Sequence, residues 1–175
     1  AFIIGMNSGS SFDGIDVVLC ETEIEDDGFP KKPKFFAEAR MIANKVKKIV
    51  SDAFVNKVDM IGLNRLNYIC GAVFAEKAAK FMKDHKIDPL DVAVIGVDTQ
   101  TIYQEQPDHK RISEMSEDEK ANWPGRWLSK AYPAGMQMGE SSVIANLTNV
   151  DTVTHFRPAD QSTKIEERRV GKECR

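Results

Sequence analysis

Two glycines, two hydroxyls and two carboxylates fall within a short stretch, Gly9-Ser10-Ser11-Phe12-Asp13-Gly14-Ile15-Asp16. Backbone N–H groups of a tight turn can converge on phosphate oxygens, hydroxyls add donors, and a carboxylate such as Asp13 or Asp16 can hold Mg²⁺ directly or through water. That is phosphate-handling chemistry without either standard fingerprint. No Gly-Lys-Ser/Thr follows, as a P-loop needs, and no Gly-x-Gly-x-x-Gly opens a helix, as a dinucleotide site needs. Taken alone, an Asp-Gly pair at a hairpin is more often only a turn former.

A second cluster, Thr154-His-Phe-Arg-Pro-Ala-Asp160, follows a predicted strand. Pro158 disfavours helix at Arg157, so the spacing predicts a turn from which Arg157 and Asp160 project at the strand's end, where open α/β sheets place ligands. A surface ion pair stabilising that turn fits the same spacing equally well. A third cluster, Gly96-Val-Asp-Thr-Gln-Thr101, ends another predicted strand and offers Asp98, Gln100 and Thr101 to the same crevice, or else a cap and an ordinary loop. Glu140 is either a first-turn helix residue complementing the dipole or a ligand contact. His155 has no Cys or His partner at metal spacing, and His85 and His109 sit on polar segments with no role assigned.

The elements that must position these residues are legible from periodicity. Residues 1–5 and 14–23 read as strands joined by the polar turn, and residues 34–41 as a third strand. Val46, Ile49, Val50 and Phe54 share one helix face, and a longer helix over 63–85 repeats the period through Leu66, Cys70, Val73, Phe74, Ala78 and Phe81. Residues 92–97 form a compact apolar run that reads as a buried strand returning to the first sheet. A strand over 135–139, a helix over 140–147 and a strand over 151–156 complete an α/β domain with a mixed sheet.

Two stretches differ in composition. Residues 104–133 are polar, contain Pro107, Pro124 and Pro133, and read as a surface insertion with a short helix over 116–123, capped by Ser116 with Glu119 three residues on. Trp123 and Trp127 are expected to anchor it to the domain. Residues 162–175 lack apolar periodicity and read as a solvated tail. Glu166 to Cys174 also resembles the in-frame translation of a common sequencing adapter. The expectation adopted is a domain over 1–161 followed by an artefactual tail, with no function for Cys174.

Composition bounds the function. The chain has 175 residues, 42% apolar and 29% charged, with a net charge of −3. Its apolar runs are far shorter than the roughly 18 residues of a membrane span, so no membrane partner is expected. Scattered Lys and Arg give no clustered cationic footprint for nucleic acid. Three cysteines at no zinc spacing suggest a reducing, cytoplasmic setting. No secretory signal is visible, and the start at Ala1 within a strand-like run suggests missing upstream residues.

Four blocks occurring in order carry a resemblance over nearly all of residues 2–161. They are Gly5-Met-Asn-Ser-Gly-Ser-Ser-Phe-Asp-Gly-Ile-Asp16, Asp98-Thr-Gln-Thr-Ile-Tyr103, Met136-Gln-Met-Gly-Glu140 with Ile144-Ala145, and Phe156-Arg-Pro-Ala-Asp160. Together they resemble the anhydro-N-acetylmuramic acid kinase family. The resemblance implies the N-terminal domain of an actin/hexokinase-like (ribonuclease H-like) ATPase fold, its second domain missing, and therefore an inactive fragment of a cytoplasmic carbohydrate kinase, a transferase of amino sugar metabolism. It implies ATP and Mg²⁺, with Gly9, Ser10, Ser11, Phe12, Asp13, Gly14, Ile15 and Asp16 meeting the phosphates. By the same resemblance Asp160 is the catalytic base, drawing a proton from the water that attacks the anomeric carbon of a 1,6-anhydro sugar while O6 receives the γ-phosphoryl group. Arg157, Gln100, Thr101 and Glu140 are then substrate contacts, and the full-length protein has room for a homodimer.

Two positions depart from the family pattern. Val97-Asp-Thr-Gln-Thr101 stands where the family usually reads Ser-His-Gly-Gln-Thr, and His155-Phe-Arg157 where it reads Asp-Phe-Arg. Substrate identity stays open between an anhydro-muramic sugar and levoglucosan, whose kinase shares the Asn-Ser-Gly start. A non-catalytic relative that binds a sugar or a protein partner is the reading from another class.

Overall fold

The computed structural model describes residues 2–9, 12–42 and 46–163. The elements run β1 (Phe2–Ser8), β2 (Gly14–Glu21), β3 (Lys34–Ile42), α1 (Lys47–Phe54), α2 (Met60–Asp84), β4 (Val92–Asp98) and β5 (Gln100–Gln104). Then follow α3 (His109–Glu114), α4 (Glu117–Ala121), α5 (Trp123–Leu128), β6 (Gly135–Met138), α6 (Ser141–Thr148), β7 (Thr152–Val153) and α7 (Phe156–Thr163). The chain divides into two compact units, one of residues 1–102 with 137–155, the other of 103–136 with the described part of 156–175.

The first unit is built on a mixed five-stranded sheet in the order β3-β2-β1-β4-β7. β2 is antiparallel to both β1 and β3, whereas β1 with β4 and β4 with β7 are parallel. The carboxyl ends of β1, β3, β4 and β7 therefore share one edge, the edge at which α/β sheets collect ligands. Period-2 alternation sends Ile4, Met6, Ile15, Val17, Leu19, Ile95 and Val97 to one buried face. The register supports it, pairing Ile4 with Leu19 and Ile95, and Met6 with Val17 and Val97.

α2 belongs to the same core because Leu66, Cys70, Phe74, Ala78 and Phe81 recur at helical spacing and are fully buried. It starts at Asp59, whose carboxylate accepts from the Gly62 N–H at 2.8 Å. α6 packs on α2 where Gly71 leaves room, since a Cβ there would lie 2.7 Å from the Glu140 carbonyl oxygen. Truncating a core aromatic such as Phe74 would cost about 3–5 kcal/mol. The mixed sheet, the short α1 and the long α2 match the sequence expectation. Among the described residues no helix is long and apolar enough to cross a membrane.

In the second unit α4 carries the expected capping box, Ser116 and Glu119 bonding each other's backbone. α3 and α5 were not expected. Ile112, Ala131 and Tyr132 form a small core. The Trp127 ring lies 5.9 Å from that of Tyr132, tilted 51° to it, and its indole N–H donates to the Pro133 carbonyl at 3.0 Å. Trp123, expected as an anchor, is instead 73% exposed.

The strand expected over 151–156 shrinks to Thr152–Val153, and a helix replaces the turn expected at Arg157-Pro158. The reason is positional. Pro158 is the third residue of α7, where its missing N–H would have had no intrahelical partner. Arg157 and Asp160 thus stand three apart on one helix rather than on a strand's end.

Candidate active site

The Gly9–Asp16 turn joins β1 to β2 at the carboxyl edge of the sheet. It closes with the Phe12 N–H donating to the Gly9 carbonyl at 3.1 Å. Phe12 takes φ +45, a left-handed conformation a bulky residue rarely adopts, and its side chain is fully buried. Core packing over-determines a backbone that would otherwise relax, and such positions concentrate at functional sites. Ile15 is also fully buried, whereas Asp13 and Asp16 are exposed. Ser10 and Ser11 lie outside the described residues.

The carboxylates of the turn meet a cation that the motif reading missed. Arg40 on β3 reaches Asp13 at 3.4 Å and Asp16 at 3.9 Å. Its signal was only a single charge in an alternating strand, and the register that sets it opposite Asp16 is invisible before the strands are paired.

From β4 the chain enters β5, so Gln100 and Thr101 belong to a strand and not to the loop expected. Gln100 is fully buried. Ser8 at the end of β1 donates its hydroxyl to Gln100 Oε1 at 2.8 Å, and the Gln100 amide donates to the Thr101 carbonyl at 2.9 Å. Gln100 therefore ties the root of the Gly9–Asp16 turn to the start of β5. Asp98 accepts from the Gln137 amide at 2.8 Å, and the same amide reaches the Thr99 carbonyl at 3.1 Å.

Glu140 caps α6. Its Oε1 accepts from the Ser142 hydroxyl at 2.7 Å and backbone N–H at 3.3 Å, and its Oε2 from Asn67 at 3.0 Å. The Ser142 hydroxyl, then the Ser142 N–H, hold its carboxyl below the ordinary glutamate range, with Asn67 and His155 adding to the effect. Asn67 also accepts from the Gly139 N–H at 2.8 Å, and Gly139 sits at φ +147 where a Cβ would lie 2.6 Å from Thr99 Cγ2. Asn67 was missed because a polar residue in a helix carries no signal until its partner, 72 residues away, is placed.

In the second unit Arg157 donates to Gln104 Oε1 at 3.3 Å and is half-buried, while Asp160 is exposed on α7. The structure thus gathers Gly9, Phe12, Asp13, Gly14, Ile15, Asp16 and Gln100 about one sheet edge of the first unit. Glu140 is held at the head of α6.

The family model described as anhydro-N-acetylmuramic acid kinase matches residues 1–118, the Gly9–Asp16 turn and its supporting strands included. The chain belongs to this family. It is 27% identical over 162 residues to the anhydro-N-acetylmuramic acid kinase of Sulfurovum sp. (strain NBC37-1), covering 91% of this chain and 37% of that protein. To the protein of the same name from Caldanaerobacter subterraneus subsp. tengcongensis it is 28% identical over 160 residues, 90% of this chain and 36% of the relative. The Bacillus thuringiensis subsp. konkukian kinase of that name is 28% identical over 164 residues, 92% and 37%. The chain spans little more than a third of the length of these curated relatives. Asp160 and Arg157 fall beyond the end of the family-model match.

Proposed function

We propose that this anhydro-N-acetylmuramic acid kinase family chain is the N-terminal part of an ATP-dependent kinase that opens a 1,6-anhydro sugar and phosphorylates O6. The family match over residues 1–118 carries the reading, because it contains the whole Gly9–Asp16 turn. A ribonuclease H-like fold with a second domain beyond the chain is part of the same proposal, supported by the mixed sheet and by relatives of which the matched part is little more than a third.

Phosphoryl transfer is mainly positioning and charge stabilisation. The turn's backbone N–H groups and Ser10 and Ser11 would orient the triphosphate, with Phe12 fixing the backbone from below. Two carboxylates on one turn suit Mg²⁺, which binds through one or two carboxylates plus substrate phosphates rather than in an all-protein cage. Asp13 or Asp16 would hold it, and when bound it neutralises charge developing on the phosphate oxygens.

Asp160 would accept the proton of the attacking water, a task that needs a carboxylate within hydrogen-bond reach of the water. Arg157 would hold a sugar oxygen or that carboxylate. Gln100 and Thr101 would shape the sugar pocket from β5, and Glu140 would do so through the turn it caps. The test is Asp160→Asn in the whole protein. Phosphorylation of anhydro sugars should fall by about 10²-fold or more while ATP still binds, and full retained activity would remove Asp160 from the mechanism. Running anhydro-N-acetylmuramic acid beside levoglucosan assigns the sugar.

A further inference from the structure

Arg40 lies outside every motif that suggested function, yet it stands where the proposed phosphate chemistry would occur. β3 runs parallel to β1 and β4, so the end of the strand that bears Arg40 meets the same carboxyl edge. The register sets Arg40 opposite Asp16, Asp16 opposite Asn7, and Asn7 opposite Asp98, one polar row across four strands.

Among the described residues, both ion-pair contacts of Arg40 are loose. Charge-assisted N–H···O bonds run to about 2.7–2.9 Å, whereas Arg40 stands 3.4 Å from Asp13 and 3.9 Å from Asp16, with its side chain 66% exposed. The carboxylates hold the guanidinium beside Asp13 and Asp16, and these described contacts do not use up its five donors. Gly14 preserves the arrangement, since a Cβ there would lie 2.9 Å from Arg40 Nε. As an exposed ion pair the cluster adds little to stability. As an anion receptor it removes an obstacle, because Asp13 and Asp16 would otherwise turn two negative charges toward an incoming polyphosphate.

We propose that Arg40 is a direct polyphosphate ligand, its planar fork adding the cation that the Gly9–Asp16 turn itself lacks. The inference rests on the reading of that turn as phosphate-handling, and the experiment separates the two.

Inorganic tripolyphosphate, free of metal and at low salt, is titrated calorimetrically into the chain as it stands. The variants are Arg40→Ala, Arg40→Lys and the triple Asp13→Asn/Asp16→Asn/Arg40→Ala, each checked for an unchanged circular dichroism spectrum. The expected result is that the chain binds, Arg40→Ala weakens binding at least tenfold, Arg40→Lys recovers part of it, and the triple variant stays weak. Wild-type affinity in Arg40→Ala, or recovered affinity in the triple variant, overturns direct contact while leaving the turn's role intact. No binding by the unaltered chain without metal overturns this inference, and no binding after Mg²⁺ is added overturns the role of the turn as well.

Discussion

The hydroxyl of Ser8 donates to Gln100 Oε1 at 2.8 Å in a buried bond between residues 92 positions apart. It fastens the last residue of β1, where the Gly9–Asp16 turn begins, to the first residue of β5. Ser8→Ala leaves Gln100 Oε1 buried without this donor. The expected loss is about 1–3 kcal/mol, read as a lower urea midpoint at unchanged slope. An unchanged midpoint would mean that the turn's root is held by the ladder alone.

Gly71→Ala tests the approach of α2 to α6. The added Cβ would meet Glu140 backbone atoms at 2.7 and 3.0 Å, and backbone cannot rotate away as a side chain would. Helix propensity favours alanine by about 1 kcal/mol, against an overpacking cost of about 1–3 kcal/mol. A net loss is expected, seen as a lower melting temperature. A rise would show that α6 shifts freely on α2.

Glu140 predicts a pH dependence. The Ser142 hydroxyl and N–H lower its folded pKa beneath the ordinary 4.5. A depressed folded value means that its stabilising contribution is complete above the unfolded value and disappears as pH falls through the folded one. Wild type should therefore exceed Glu140→Gln in stability at neutral pH, and the gap should narrow as pH drops below about 4.5. Denaturant melts of both proteins across the acid range measure it. A gap constant with pH would assign the cap to geometry rather than to charge.

The two described cysteines should react differently. Cys70 is fully buried, which pushes its thiol up to about 12, whereas Cys20 is half-buried with a smaller upward shift from the same cause. Reactivity follows the thiolate. Iodoacetamide at pH 8 should modify Cys20 in the native chain and reach Cys70 only in denaturant, as peptide masses will show. Equal rates at both positions would place Cys70 nearer the surface than its packing against Phe74 and Leu66 in the core implies.

Local periodicity carried most of the first unit. β1 and β4 show as compact apolar runs, β3 by its alternation and α2 by its long stripe, so each declares itself within its own window, although α2 starts at Met60, ahead of the residue 63 expected. Short elements with weak patterns did not. α3 and α5 are six residues each, and α7 hid behind Pro158, whose helix-breaking reputation fails in a first turn. The site divided along the same line. Gly9–Asp16 is a contiguous signal, whereas Arg40 and Asn67 become site residues only through strand register and a helix-to-turn contact. Gln100 was singled out as a loop residue, and pairing placed it in a strand with its side chain enclosed.

The strand order has a consequence for how the chain comes to fold. β1, β2 and β3 are consecutive neighbours and can pair as soon as they leave the ribosome, but β1's other neighbour is β4, so Met6 waits for Val97. At about 5–20 residues per second, the central strand of the sheet spends several seconds as an unpaired edge. Through that interval Ile4 and Met6 lie next to open backbone donors and acceptors, a template for pairing with another chain. α1 and α2, synthesised in between, bring the first side chains able to cover the apolar face. The long buried stripe of α2, from Leu66 through Phe74 to Phe81, is then a safeguard during synthesis as well as the centre of the finished core.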